Sequence, residues 1–67
     1  MKNKALKIAM YAAGKKHRDV AKVLGINTKV FTNKLNRRTV NGYEARFTTS
    51  EKAMLASMFE LLIIDIE

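Results

Sequence analysis

Residues 19–35 read DVAKVLGINTKVFTNKL, and how this stretch divides decides the fold. Val20, Ala21, Val23 and Leu24 recur at helical spacing on what the pattern makes an inner face, and Gly25 ends the run because it accepts a positive φ without steric cost. Asn27 offers a side-chain oxygen to the free N–H groups of a new helix, so the spacing predicts a restart at Thr28 and a helix to about Arg37. Phe31 and Leu35 are four apart on its inner face. Thr28, Lys29, Thr32, Asn33 and Asn36 are left on the other. Helices of about eight and ten residues do not hold alone in water, so each must lay its apolar stripe on a neighbour. A turn of about three residues predicts a steep crossing, and Ala21, one helical turn before Gly25, leaves room for the partner backbone. Ile26 and Phe31 are expected to plug the gap between this pair and the remaining helices.

Working outward, residues 3–14 carry Leu6, Ala9, Met10 and Ala13 on one stripe, with Asn3 placed as an N-cap and Gly14 as a C-terminal cap. The helix that ends at Gly25 starts near His17. Beyond the pair, Arg37 to Arg46 is expected to be a polar loop. Tyr43 within it is read as an aromatic cover for the small core, the other reading being a stacking contact with a sugar or base. TTSE at 48–51 has the form of a capping box, Thr48 at the cap and Glu51 three residues on. It opens a fourth helix through Met54, Leu55, Met58 and Phe59.

Sixty-seven residues allow one small core. There is no cysteine to build a disulfide framework or a thiolate metal site, which fits a reducing compartment and a cytoplasmic location. The longest apolar run in the C-terminal part, LLII at 61–64, is far short of the ~20 residues needed to span a bilayer. Charge is unevenly spread. Residues 1–46 hold twelve of the thirteen Lys and Arg against Asp19 and Glu44, a balance of +10, whereas residues 47–67 come to −3. A basic body of this kind is the electrostatic footprint of a polyanion binder, although a solubilising surface would share it. His17, the single histidine, lacks a second histidine, a cysteine or a pair of acids nearby, and no catalytic constellation is visible. The chain is therefore expected to be a non-enzyme that needs no cofactor or metal.

The run RDVAKVLGINTKVFTNKLN, through Ala21, Gly25, Ile26, Phe31 and Leu35, resembles the helix-turn-helix of the lambda-repressor-like family, also called the Cro/repressor or XRE family. FTTSEKAMLASMF, with an aromatic at Phe47 and an acid at Glu51, is similar to the helix that follows in that family. The resemblance spans roughly residues 5–60. It departs from the family in NRRTVNGYEARF, which is longer than the usual connection and has Arg37 where glycine is expected. It implies an all-α fold, a compact domain of four to five helices over residues 1–60, followed by an apolar tail at 61–67.

The resemblance also implies a function, sequence-specific binding of double-stranded DNA by a transcriptional regulator of phage or mobile-element type, with the helix at about 28–37 in the major groove. Thr28, Lys29, Thr32 and Asn33 are then the base-contacting candidates, with Asn36 at the margin. His17 and Arg18 open the preceding helix, whose free N–H groups suit a phosphate, and Lys15, Lys16, Arg37, Arg38 and Arg46 would add backbone contacts. The other reading of Thr28, Lys29 and Asn33 is ordinary capping or solvated helix positions. If the fourth helix ran on into FELLIIDIE, Phe59, Leu62, Ile63 and Ile66 would form one stripe that a lone chain leaves uncovered, whereas as an alternating β-branched segment the tail could pair with its own copy in a second subunit. A homodimer partner or a larger repressor protein would cover it. The alternative function is therefore a modulator or antirepressor that docks on a partner repressor and alters its DNA binding. A short basic RNA binder is the third class.

Overall fold

The computed structural model describes residues 2–66. It is mostly helical, with α1 at Lys4–Ala12, α2 at His17–Leu24, α3 at Thr28–Asn36 and α4 at Thr49–Phe59. A two-stranded antiparallel ladder, β1 at Thr39–Val40 and β2 at Tyr43–Glu44, lies between α3 and α4, and a 3₁₀ turn at Ile63–Asp65 follows α4. The small helical architecture and the four helices agree with the sequence reading. The ladder is an addition to it, since Arg37 to Arg46 was expected to be loop throughout.

All four helices stop in the same way. A residue in the left-handed region follows each: Gly14, Gly25, Arg37 and Glu60, with φ of 69°, 74°, 51° and 56°. The next N–H then reaches back five residues to a carbonyl near the helix end, Lys15 to Met10 at 2.9 Å, Ile26 to Ala21 at 3.0 Å, Arg38 to Asn33 at 2.9 Å and Leu61 to Ala56 at 2.9 Å. This is the Schellman closure, and it satisfies carbonyls that the end of a helix leaves free. Helix starts are less uniform. Asn27 Oδ1 accepts the Val30 N–H at 2.8 Å, and Thr48 Oγ1 accepts the Glu51 N–H at 3.1 Å while Glu51 Oε1 accepts the Thr48 N–H at 2.8 Å. Both caps stand where the sequence put them.

The core is Leu6, Met10, Val20, Ala21, Phe31, Leu35, Phe47, Leu55, Ala56 and Ile66, with Leu24, Ile26, Phe59 and Leu61 packed against it. Phe31 lies at its centre, fully buried, its ring 5.7 Å from that of Phe47. α2 and α3 form the most extensive helix pairing, while α1 packs on α4. Ala21 is buried as expected where a small side chain was required.

Several positions differ from the sequence reading. Val23 and Met54 are exposed, because the buried stripes of these eight- and eleven-residue helices are narrower than the apolar pattern, and Ala13 is exposed just beyond the end of α1. Asn3 occupies the position before α1 but does not cap it. Its own backbone is left-handed, and its buried side chain crosses the molecule to donate from Nδ2 to the Leu35 carbonyl at 2.8 Å. α4 does not continue into the tail: Glu60 breaks it, and the chain folds back so that Ile66 enters the core.

Candidate nucleic-acid interface

α3 is fixed from three sides. Phe31 and Leu35 bury its inner face. At its C-terminal end, Asn3 holds the Leu35 carbonyl, and Lys7 Nζ donates to Asn36 Oδ1 at 2.7 Å, so α1 clamps the last turn. At its side, Lys34 Nζ lies 2.8 and 3.0 Å from the two carboxylate oxygens of Glu51 in the first turn of α4. A helix of nine residues is too short to be rigid by itself, and these clamps supply the order that its length does not.

The opposite face is turned to solvent. Thr28 and Lys29 are exposed in the first turn, and Asn33 is half-buried one turn further on. Thr32 lies between them, its hydroxyl sharing a 3.1 Å hydrogen bond with His17 Nδ1 at the start of α2. The His17 ring stands edge-on to Phe31, with centroids 5.6 Å apart, so core packing and the α3 surface meet at this residue. Asn36 is half-buried and engaged within the protein. Its amide is already committed to Lys7 through Oδ1 and to the Thr32 carbonyl through Nδ2 at 3.1 Å, and it locks the end of the helix.

The cations fall into two groups. Lys15, Lys16, His17 and Arg18 are exposed along the α1–α2 connection and the first turn of α2, where free N–H groups add to their field. Asp19 is the one carboxylate among them, and it accepts from the Lys16 N–H at 3.2 Å. Arg37, Arg38 and Arg46 lie beyond α3. Arg37 is drawn inward: its side chain is largely covered and pairs with Glu44. Arg38 is exposed. Arg46 is mostly exposed and shares Glu44 at 3.6 Å.

Of the apolar surface candidates, Leu62 and Ile63 are exposed, Phe59 is half-buried against the core, and Ile66 is inside it. Ile66 is thus corrected from interaction surface to core, because the break at Glu60 reverses the direction of the chain. Ile64, which the helical stripe omitted, is 85% exposed. Leu61, Leu62, Ile63 and Ile64 border a shallow groove with Ala56 and Ser57. Tyr43 covers no part of the core and is 80% exposed. Sequence reasoning also missed Lys7 and Lys34, whose roles depend on residues 29 and 17 positions away.

Among the described residues no cluster of three or more His, Cys, Asp and Glu could hold a metal ion, and no helix is long and apolar enough to cross a membrane. No family model, curated protein or solved structure matches the chain.

Proposed function

We propose that this protein is a sequence-specific DNA-binding transcriptional regulator of phage or mobile-element type, in which α2 and α3 act as a helix-turn-helix and α3 enters the major groove. The observation that carries the reading is the two-sidedness of α3: Phe31 and Leu35 fully buried, Thr28 and Lys29 facing water, and exposed Lys15, Lys16, Arg18 and Arg38 in the segments on either side. An α-helix fits the B-DNA major groove, and the side chains of its N-terminal half come nearest to the base edges. Lys29 can donate to the guanine O6 and N7 acceptors, and Asn33 can pair in bidentate fashion with adenine, each worth about 1–3 kcal/mol of discrimination. The Thr28 and Thr32 methyl groups suit thymine. Lys15, Lys16, Arg18, Arg38 and Arg46 would hold the phosphates and set the register.

The test is selection of duplexes from a random pool, followed by binding of the selected duplex at several salt concentrations. With about five phosphates neutralised, affinity should fall about five-hundredfold between about 50 and about 200 mM salt. The double variant Lys29→Ala/Asn33→Ala should lose the preference for the selected sequence and keep weak, salt-sensitive binding. Failure to enrich any sequence would refute the reading.

The groove at the end of α4 favours a second reading, a modulator that docks on a partner repressor. Exposed Leu62, Ile63 and Ile64 beside Ala56 and Ser57 leave an apolar surface of the kind that marks protein contacts. Under that reading Leu62→Asp abolishes capture of the repressor and leaves helicity intact, whereas under the first it leaves binding of a single DNA half-site unchanged.

A further inference from the structure

The segment between α3 and α4 is exposed and shaped, and the groove contact of α3 makes no use of its tip. β1 and β2 close through Asn41 and Gly42, whose φ values of 52° and 82° give the two-residue type I′ turn that matches the natural twist of paired strands. The register sets Thr39 opposite Glu44 and Val40 opposite Tyr43. Residues directly opposed in an antiparallel ladder project from the same face, so one face carries Thr39 and Glu44 and the other carries Val40 and Tyr43. Glu44 is turned to Arg37 and Arg46 at the root. Val40 and Tyr43 are 44% and 80% exposed.

A ladder this short has no stability of its own. It persists because its root is fastened: the Ala45 N–H donates to the Arg38 carbonyl at 2.8 Å, and Glu44 ties Arg37, the residue that ends α3. The hairpin is therefore held in a fixed relation to α3 while presenting a bare aromatic and a β-branched residue to water. Exposed Arg38 stands before its first strand and Arg46 after its second. A ring and a β-branched side chain, flanked along the chain by guanidinium groups, suit contact with sugars and phosphates, which needs no particular base.

Placement agrees with this. The hairpin leaves the C-terminal end of α3, the end away from Thr28 and Lys29, so with the N-terminal half of α3 at the base edges it stands outside that contact and nearer the phosphate border of the groove. We propose that Thr39–Glu44 is a second DNA contact, a wing whose Val40–Tyr43 face lies against the sugar edges of the flanking minor groove while Arg38 and Arg46 hold its phosphates. The inference rests on the reading of α3 as the groove helix, and extends it to a second element and a second groove.

The experiment measures fluorescence anisotropy of a labelled A·T-rich duplex with the wild type, Val40→Ser/Tyr43→Ala, Tyr43→Phe and Lys29→Ala/Asn33→Ala. A circular dichroism melt confirms that each variant folds. The hairpin double variant, which removes no charge, should bind roughly tenfold more weakly with an unchanged salt slope. Tyr43→Phe should bind like the wild type. A netropsin-type ligand filling the minor groove should weaken the wild type towards the hairpin variant and leave that variant unaffected. Equal affinities of wild type and hairpin variant would overturn the wing, and a loss in Lys29→Ala/Asn33→Ala would then show that the α3 reading stands without it. No binding by the wild type would overturn both. A wild-type dimer that Val40→Ser/Tyr43→Ala dissociates, with DNA affinity unchanged, would make the hairpin a contact between copies and overturn the wing.

Discussion

Lys34 on α3 and Glu51 on α4 form a two-pronged ion pair, with Nζ 2.8 Å from Oε1 and 3.0 Å from Oε2, and side chains only 18% and 12% exposed. Glu51 is at the same time the acid of the capping box that starts α4. Burial by itself would raise the Glu51 pKa. The hydrogen bonds from Lys34 and from the Thr48 N–H and the charge of Lys34 outweigh it, and hold the carboxyl below its ordinary 4.5. A carboxylate held lower in the folded state stabilises the fold above its unfolded pKa, and that contribution is lost as pH falls through the lower folded value. Stability of the wild type should therefore decline as pH drops below about 4.5. Glu51→Gln should cost about 2 kcal/mol at neutral pH and flatten the decline, as urea titrations across pH would register.

Asn3 Nδ2 satisfies the Leu35 carbonyl from 32 residues away. Asn3→Gly keeps the left-handed backbone available and removes the donor, leaving a buried carbonyl without this partner. The expected loss is about 1–3 kcal/mol. Asn3→Ala should lose somewhat more, because alanine resists the positive φ that asparagine accepts. Amide hydrogen exchange should rise first in the last turn of α3.

Glu60 holds a left-handed conformation, φ 56°, that glycine would adopt freely. Glu60→Gly should stabilise the protein by about 1 kcal/mol, raising the melting temperature by about 4–8 °C for a domain of this size. Gly25→Ala should do the reverse by a similar amount. Its added methyl would meet nothing within 4 Å, so the cost there is conformational and not steric.

Ile66 and Ile64 are two residues apart and should behave oppositely. Ile66, 3% exposed, belongs to the core, and Ile66→Ala should cost about 2–5 kcal/mol. Ile64 is 85% exposed, and Ile64→Ser should change stability by less than about 0.5 kcal/mol. Thermal melts of the two variants side by side would check this.

Much of the fold was legible in the sequence because its signals are local. Gly25 and Asn27 bracket the turn between α2 and α3, Thr48 and Glu51 announce α4, and each acts on backbone within a few residues. The hairpin was not read, although Val40-Asn41-Gly42-Tyr43 is an Asn-Gly turn between two strand-forming residues: strands of two residues are too short to show an alternating pattern, and the segment reads as polar loop. What local reading could not supply are the bonds that cross the molecule. Asn3 is as good an N-cap as Asn27 by composition, and only the approach of α3's last turn gives its amide a different partner. The same holds for Lys7, which removes Asn36 from the solvent-facing set, and for Glu44, which withdraws Arg37. Glu60 gave no warning of the break after α4, since glutamate is not among the residues that favour the left-handed region, and the placement of Ile66 followed from that break.

The clamps on α3 separate two kinds of position along nine residues. Phe31, Lys34, Leu35 and Asn36 anchor the rod to its surroundings, while Thr28, Lys29 and Asn33 anchor nothing. Those three sites form an editable alphabet on a fixed spine: a library randomised there should keep nearly every member folded, and new sequence preferences could be sought without rebuilding the scaffold.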